Sequence, residues 1–243
     1  MSTVRIAMWS GPRNISTAMM RAWENRADAV VCDEPLYGCY LKETGIDHPM
    51  CREIIADMDC DWRSVTAELT GPIPGKKEIY YQKHMTHHLL DSMARDWMDD
   101  VVNCFLIRNP AQVIASYAAK RDHITLDDIG MVQQGEIYSY LHARSGIRPV
   151  VLDARDVLTN PRGMLSSFCN TIGVPFDEAM LDWPTGPRDS DGIWGAHWYH
   201  NVEASSGFGP YKHTESTLTP SQSDLADACE PHYHMLYEHR LKA

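Results

Sequence analysis

The sequence predicts an α/β fold of three layers, in which helices cover both faces of a central parallel sheet. Short apolar runs alternate with longer segments whose apolar residues recur every three or four positions. Several of the short runs are too apolar to leave one face in water, as expected for parallel strands that are buried on both sides. We therefore expect residues 1–243 to form a single α/β domain.

Five apolar runs are predicted as the strands of this sheet. They are VRIAMW (Val4–Trp9), ADAVVC (Ala27–Cys32), EIYYQKH (Glu78–His84), VVNCFLI (Val101–Ile107) and RPVVLDA (Arg148–Ala154). Helical spacing is found at Ser16–Asn25, Arg52–Asp57, Trp62–Leu69, Leu89–Met98, Ala111–Lys120, Leu126–Arg144 and Pro161–Ile172. A stretch rich in glycine and proline, residues 182–219, is predicted as a long surface loop before a C-terminal helix, Ser221–Leu241.

The charge of the chain limits its partners. The formal net charge is -11, so the overall field repels nucleic acids and anionic membranes, and an anionic ligand needs a pocket of gathered basic residues. No apolar run approaches the ~20 residues of a membrane span, and the N-terminal segment lacks the pattern of a secretory signal. We expect a cytoplasmic protein that binds neither nucleic acid nor membranes; an oligomer is possible.

Cysteine and histidine are the candidate metal ligands. The seven cysteines are odd in number and show no CxxC spacing, which favours reduced thiols. Three histidine clusters raise the possibility of zinc: HMTHH (His84, His87, His88), HWYH (His197, His200) and HYH (His232, His234). None of them brings the cysteine or carboxylate neighbours that a closed zinc site usually has, so no metal is expected.

The segment between the first strand and the first helix has the composition of a phosphate site. In MWSGPRNISTAMMRAW, Gly11 allows close backbone approach, Arg13 supplies charge, and Ser16 and Thr17 supply hydroxyls at a helix N-terminus. In a parallel sheet the ligand crevice lies at the carboxyl ends of the strands. The predicted P-loop-like cradle comprises Gly11, Pro12, Arg13, Asn14, Ser16 and Thr17. An ordinary turn with a helix cap is the alternative.

This cradle departs from a Walker A loop, which has the pattern GxxxxGK[ST]. Counting from Gly11 places Ser16 at the second glycine and Thr17 at the lysine. The two mismatches weigh against a nucleoside triphosphatase and remove the usual reason to expect magnesium. A kinase-like phosphotransferase on a related cradle stays an alternative, as does a nucleotide-binding protein without catalytic activity.

A second segment, FLIRNPAQVIASYAAKR, places Arg108 after an apolar strand, Pro110 at a helix start, and Ser116 eight positions beyond Arg108. With this segment the sequence resembles the cytosolic and bacterial sulfotransferases that use 3′-phosphoadenosine 5′-phosphosulfate (PAPS). The resemblance implies that SGPRNIST cradles the 5′-phosphosulfate. It also implies that Arg108 and Ser116, in RNPAQVIAS, bind the 3′-phosphate. The pair of motifs in this order is much more specific than either motif alone.

The resemblance extends beyond the two phosphate motifs. VLDARDVLTNPRGMLSSFCNTIGVPF, Val151–Phe176, is similar to a strand and proline-started helix of the family. FGPYKHTESTLTPSQ, Phe208–Gln222, is similar to a basic-aromatic segment of bacterial members, which implies that Lys212 contacts the donor phosphates. An exposed lysine in a polar loop is the alternative interpretation of Lys212.

The activity implied by the resemblance is transfer of a sulfuryl group from PAPS to a hydroxyl or amine of a small acceptor, without a metal. Such a reaction requires in-line positioning, neutralisation of the leaving phosphate and a base for the acceptor proton. Arg13 suits the neutralisation, because arginine is always charged and forms two hydrogen bonds at once. Two residues compete as the base: Glu34 in CDEPLYG, as in bacterial members, and His84 in YYQKHMTHH, as in animal members.

The acceptor site is expected in the long loop. GIWGAHWYHN concentrates Trp194, His197, Trp198, Tyr199 and His200, which suits an aromatic or amphipathic acceptor. Tyr37 and Trp62 are candidates to join them. The alternative is that these aromatic residues pack the loop onto the rest of the domain.

Overall fold

The computed structural model describes residues 3–119, 124–212 and 217–243. Its centre is a five-stranded sheet in the order β2-β3-β1-β4-β5, in which every neighbouring pair is parallel. The strands are β1 (Val4–Ser10), β2 (Ala29–Asp33), β3 (Ile79–Met85), β4 (Val102–Ile107) and β5 (Val150–Asp153). Each strand begins within two residues of the predicted run, because short apolar runs buried on both faces have few other ways to pair their backbones.

Helices surround the sheet. They are α1 (Ser16–Glu24), α2 (Tyr37–Thr44), α3 (Cys51–Asp57), α4 (Trp62–Thr70), α5 (Pro110–Ala118), α6 (Leu126–Ile129), α7 (Met131–Ser145), α8 (Ala154–Thr159), α9 (Pro161–Thr171), α10 (Gly195–Trp198), α11 (His200–Glu203) and α12 (Pro220–Tyr237). Asn109 and Asn160 cap α5 and α9 with their side chains, and a proline follows each cap as the first helical residue.

The helices form a layer on each face of the sheet. Adjacent residues of β1 illustrate the division, because side chains alternate between the two faces of a strand. Met8 packs on the side of α1 and α9, with Trp23 and Phe168. Trp9 packs on the opposite side with α5, α7 and α12, where Tyr138 is buried. The predicted three-layer α/β fold is confirmed; that all 243 residues form one domain stays a prediction.

Two predicted helices were wrong in part. The segment Leu89–Met98 is a chain of turns that ends in a 3-10 helix at Asp96–Asp100, although Leu89 and Met93 are buried as their spacing suggested. The spacing identified the buried side chains but did not determine the backbone. The helix predicted at Leu126–Arg144 is divided into α6 and α7 by Gly130, whose φ of 68° is left-handed.

Four short helices were not predicted from the sequence. These are α2, α8 and, inside the predicted long loop, α10 and α11. Each has eight residues or fewer, too few turns for a clear helical period. The end of the predicted helix Ala111–Lys120 lies outside the described residues.

The sheet topology determines where a ligand can bind. From β1 the chain moves to one side of the sheet for β2 and β3, and then to the other side for β4 and β5. The strand order therefore reverses at β1, and the crevice of an open α/β sheet lies at the carboxyl ends of the strands around such a point. Within the described residues, no helix is long and apolar enough to cross a membrane, and no cluster of histidine, cysteine and carboxylate side chains could hold a metal ion.

Candidate active site

A cavity of about 490 Å³ opens at the carboxyl ends of β1, β2 and β3. One end is formed by the β1–α1 loop and α5. The other end is formed by aromatic and histidine side chains, many of them from the segment that contains α10 and α11. Its polar and charged lining residues include Arg13, Asn14, Ser16, Thr17, Glu34, His48, Lys83, His87, His88, Arg108 and Ser116.

The β1–α1 loop holds the residues predicted as a phosphate cradle. Pro12, Arg13 and Asn14 line the cavity, followed by Ser16 and Thr17 in the first turn of α1. The Nδ2 atom of Asn14 donates a hydrogen bond to the carbonyl of Leu106 at 2.9 Å, which ties the loop to β4. No side chain caps the N-terminus of α1, so the helix presents first-turn N–H groups at the cavity, where they suit an anion.

Gly11 has a different role from the one expected. It does not line the cavity. A Cβ atom at this position would lie 2.6 Å from the carbonyl oxygen of Ile129 in α6. The close backbone approach that requires glycine is therefore to a neighbouring helix of the same chain.

Two arginine side chains meet beside the cradle. The Nε atom of Arg13 donates to the Oγ of Ser116 at 3.2 Å, and an Nη atom of Arg108 donates to the carbonyl of Arg13 at 2.6 Å. Burial lowers the pKa of both groups, and the positive charge of Arg13 lowers that of Arg108 further. Among the described residues, no carboxylate forms a salt bridge with either guanidinium group, although the charge of Asp153 acts on Arg108 and raises its pKa. Two neighbouring cations with no carboxylate in direct contact are suited to bind an anion with more than one charge.

Glu34 lines the cavity just after β2. Its backbone N–H donates to the carbonyl of Lys83 at 2.8 Å, and its carboxylate bonds the Lys83 ammonium. Burial raises the pKa of Glu34, the charge of Lys83 lowers it, and the neighbouring carboxylate of Asp33 raises it, with a net increase. Four non-glycine residues of the described chain have positive φ, and two of them, Arg13 (56°) and Glu34 (45°), line this cavity. Left-handed backbone at such residues is characteristic of functional sites.

Lys83 was not predicted as a site residue. Its ammonium is buried and also contacts the Asp33 carboxylate at 2.8 Å and the Tyr199 hydroxyl at 2.8 Å. Burial opposes the charge of Lys83, but the carboxylates of Asp33 and Glu34 raise its pKa well above the ordinary value. The sequence signal was the acidic pair Asp33-Glu34 at the end of one strand and a lysine at the end of another.

His84 lies on the other face of β3 and does not line the cavity. Its ring stacks on Trp9 with centroids 4.4 Å apart, and its Nε2 lies 3.2 Å from the Oε1 of Gln82. Burial lowers the pKa of His84 to about 3. The structure therefore separates the two candidate bases, with Glu34 at the cavity and His84 in the core.

The loop aromatic residues divide into two groups. Trp194, Trp198 and Tyr199 line the cavity, whereas His197 and His200 are exposed. Of the two further candidates, Tyr37 lines the cavity and Trp62 does not; Trp62 packs against the core on one face of the sheet.

Three histidines were missed at this end of the cavity: His48, His87 and His88. The ring of His88 stacks on Tyr37 with centroids 4.5 Å apart. The Tyr37 hydroxyl lies 2.9 Å from the Nδ1 of His48. His87 and His88 belong to the cluster HMTHH, whereas His48 stands alone in DHPM, and only the fold brings the three together with Tyr37.

Lys212 is exposed and does not line the cavity. The residues that follow it, 213–216, lie outside the described residues. Its neighbour Tyr211 connects this segment to the arginine cluster. The Tyr211 hydroxyl accepts a hydrogen bond from Gln112 at 2.9 Å, and Gln112 accepts one from the Nε of Arg108 at 3.3 Å.

Two known proteins are similar to this chain in sequence. Two Arabidopsis thaliana proteins, named branched-chain-amino-acid aminotransferase-like protein 2 and protein 1, are each 33% identical over 234 residues. The alignments cover 96% of this chain but 41% and 42% of those proteins, so the chain spans less than half the length of these curated relatives.

Three solved structures share the fold. The sulfotransferase domain of the curacin biosynthetic pathway has a TM-score of 0.54 at 16% identity, with 97% of this chain and 98% of that one covered. The sulfotransferase domain of the Synechococcus PCC 7002 olefin synthase has a TM-score of 0.52 at 17% identity, with 94% and 95% covered. A sulfotransferase from Alicyclobacillus acidocaldarius has a TM-score of 0.56 at 11% identity, with 100% and 98% covered.

The two phosphate motifs suggested a family resemblance, and a match along nearly the whole chain confirms it. A model of the sulfotransferase domain family matches residues 4–239, from β1 to just beyond α12. The chain therefore belongs to the sulfotransferase domain family.

Proposed function

We propose that this protein transfers a sulfuryl group from PAPS to a hydroxyl or amine of a small acceptor. The observation that carries the proposal is the composition of one cavity. At one end, Arg13 and Arg108 lie beside the N-terminus of α1 with no carboxylate partner among the described residues. Further along the same cavity, the Glu34 carboxylate is available to accept a proton.

The arginine end suits the donor. Arg108 and Ser116 are assigned to the 3′-phosphate by the RNPxxxxxS pattern that the family shares. Arg13, the Ser16 and Thr17 hydroxyls and the first-turn N–H groups of α1 are assigned to the 5′-phosphosulfate, where negative charge develops as the sulfuryl group leaves. Pro12 and Asn14 shape the loop, and Gly11 lets it pack against α6. Contact of Lys212 with the donor stays a prediction.

The chemistry needs one base. A bond forms between the acceptor oxygen or nitrogen and sulfur, while the bond between sulfur and the bridging oxygen breaks and leaves its electron pair on the 5′-phosphate. The acceptor proton passes to a carboxylate oxygen of Glu34. Burial favours this role because it increases the tendency of Glu34 to take a proton. His84 is a poor alternative, since its ring is stacked in the core.

The other end of the cavity suits an aromatic or amphipathic acceptor. Tyr37, Trp194 and Trp198 provide ring surfaces there, and His48 and His88 provide polar ring atoms. Ring stacking combined with a few hydrogen-bonding groups is typical of sites for small molecules that carry both apolar and polar parts.

Three other functions are weaker. A kinase-like phosphotransferase lacks the Walker lysine. A nucleotide-binding protein without turnover has no need for the open cavity beside Glu34. The name of the plant relatives suggests aminotransferase chemistry, but a Schiff-base lysine has to lose its proton, whereas the cavity lysine, Lys83, is held as an ammonium by two carboxylates.

Ligand binding and turnover test the donor assignment. Adenosine 3′,5′-bisphosphate should stabilise the protein against heat by about 2.7 kcal/mol at a hundredfold excess over its Kd, and adenosine 5′-monophosphate at the same concentration should stabilise it less. ATP with magnesium serves as the comparison for the kinase alternative. Labelled PAPS is then screened against phenols, alcohols, amines and sugars. Equal stabilisation by the two adenosine nucleotides, or tighter binding of ATP-magnesium, would refute the assignment.

A matched pair of variants tests the base. Glu34→Gln should lower kcat by about 10²–10⁴-fold while leaving the affinity for adenosine 3′,5′-bisphosphate unchanged, because a general base contributes that much to the rate. His84→Gln should retain most of the rate, since His84 does not reach the cavity. A large loss of rate in His84→Gln with little change in Glu34→Gln would instead assign the role of base to His84.

A further inference from the structure

Four buried side chains form a group at the cavity wall: Glu34, Lys83 and Tyr199 line the cavity, and Asp33 lies behind them. The Lys83 ammonium donates to one oxygen of Asp33 at 2.8 Å, to the Tyr199 hydroxyl at 2.8 Å and to Glu34. An ammonium group has three donors, so all of them are used. The Tyr199 hydroxyl in turn donates to the Asp33 carboxylate at 2.8 Å. One cation is thus shared between two carboxylates on adjacent positions of the chain.

The two carboxylates have unequal surroundings. Asp33 does not line the cavity, its side chain is 1% exposed, and it also accepts a hydrogen bond from the backbone N–H of Gly192 at 3.1 Å. Glu34 lines the cavity, and its side chain is 11% exposed. Asp33 therefore anchors the segment that begins at Gly192, whereas Glu34 is the carboxylate that a substrate reaches.

Resting on the function proposed above, we propose that Lys83 and Asp33 are positioning residues that set, in opposite directions, how strongly Glu34 attracts the acceptor proton. Lys83 favours the ionised carboxylate through its charge and its hydrogen bond. Asp33 opposes it, both by repulsion and by drawing part of the Lys83 charge away from Glu34. The balance between the two sets how readily Glu34 accepts a proton during the reaction.

Two further titratable groups near Glu34 are uncharged. Among the described residues, Glu34 interacts with the titratable side chains of Asp33 at the end of β2, Lys83 of β3, His88 of the turn after β3, and Tyr199 between α10 and α11. The Nδ1 of His88 lies 3.9 Å from a carboxylate oxygen of Glu34. Burial and the neighbouring His87, His48 and Lys83 lower the pKa of His88 well below its ordinary value, so its ring is neutral. Burial raises the pKa of Tyr199, which keeps its proton.

The pH dependence of kcat/KM tests the proposal, because activity falls on the acidic side as Glu34 becomes protonated. Lys83→Met should move this acidic limb to higher pH by about 1–3 units, and Asp33→Asn should move it to lower pH by about 1 unit. Lys83→Arg keeps the charge and should leave the limb near its wild-type position. Lys77→Met removes a lysine beyond the far end of β3 and should not move it.

A second readout separates this inference from the proposed function. Infrared titration follows the protonated carboxyl band of Glu34, identified by its loss in Glu34→Gln, and needs no turnover. If no acceptor is sulfated, the proposed function fails, yet the opposite displacement of this titration in Lys83→Met and Asp33→Asn still supports the charge relationship. If Lys83→Met does not fold, the displacement of the Glu34 titration in Asp33→Asn still tests the proposal. Displacements of the same sign, or an unmoved titration in Asp33→Asn, would overturn the proposal.

Discussion

The Nε atom of Arg13 lies 3.2 Å from the Oγ atom of Ser116, although the two residues are 103 positions apart. The family resemblance assigns Arg13 to the 5′-phosphosulfate of the donor and Ser116 to its 3′-phosphate. The two halves of the proposed donor site are therefore in direct contact. A substitution in one half should change the contribution of the other half to donor binding.

This contact predicts energetic coupling in donor binding. The effects of Arg13→Ala and Ser116→Ala on the affinity for adenosine 3′,5′-bisphosphate should be non-additive by about 0.5–3 kcal/mol, as for other residues in contact. Calorimetric titration of both single variants and the double variant measures the coupling. Ser116→Ala combined with Lys77→Met, which lies beyond the far end of β3, is the control pair and should be additive. Additive effects in the first pair would mean that the hydrogen bond is absent in solution.

The two arginines should differ kinetically. Arg108→Ala should raise the KM for PAPS with little change in kcat, because the 3′-phosphate keeps its charge during transfer and its contact is uniform binding. Arg13→Ala should lower kcat itself, since charge develops near the 5′-phosphate in the transition state. Steady-state kinetics at saturating acceptor distinguish the two effects. The reverse pattern would exchange the assignments of the two pockets.

Tyr211 should contribute to recognition of the 3′-phosphate without touching it. Its hydroxyl accepts a hydrogen bond from Gln112, which holds the Nε of Arg108. Tyr211→Phe should weaken binding of adenosine 3′,5′-bisphosphate about 2- to 10-fold, the usual value of one hydrogen bond. Binding of adenosine 5′-monophosphate should not change, and this nucleotide is the internal control. Equal losses for both nucleotides would indicate a general disturbance of the loop.

Gly11→Ala should destabilise the fold. The added Cβ would lie 2.6 Å from the Ile129 carbonyl, a backbone atom that cannot move away alone. We expect a loss of about 1–3 kcal/mol in the free energy of unfolding, as for other overpacked sites. Gly209→Ala is the matched control, because a Cβ there meets nothing within 4 Å, and its effect should stay within about 0.5 kcal/mol. Urea denaturation of the two variants makes the comparison.

The stability of the protein should depend on pH through His84. Burial lowers its folded-state pKa to about 3, below the ~6.5 of an unfolded chain. Between these values the unfolded chain binds a proton that the folded chain does not, so stability is lost as pH falls through this window. The contribution is at most about 1.4 kcal/mol per pH unit.

The variant His84→Gln should have a flatter decline in unfolding free energy between pH 6.5 and pH 5 than the wild-type protein. Urea denaturation at several pH values provides the measurement. His200→Gln changes an exposed histidine and controls for the substitution itself. An unchanged slope in His84→Gln would mean that the histidine is protonated in the folded protein.

Local sequence patterns were sufficient to predict the strands and the fold class. The five strands could be predicted from the sequence because each is a short apolar run whose burial on both faces leaves one mode of backbone pairing. The cradle and the RNP motif could also be located, since a strand followed at once by a helix places both at the carboxyl edge of the sheet. The turns at Leu89–Met98 could not be predicted, because apolar spacing reports burial and not backbone conformation.

That Glu34 lines the cavity and His84 does not is visible only in the tertiary structure. Lys83 and His84 are neighbours in β3, and side chains alternate in a strand, so one of them faces the cavity and the other the core. A sequence pattern places a histidine at a strand end but does not say on which face. The faces are decided by the helices that pack on each side.

The sequence by itself determined the alternation of strands and helices, the two phosphate motifs and the family, because each of these is visible as a pattern of residues close together along the chain. Only the tertiary structure decided that Lys83 is shared by Asp33 and Glu34, and that Tyr199 closes the group. The physical reason is that β2, β3 and the segment after Gly192 are distant in sequence and become neighbours only when the sheet assembles.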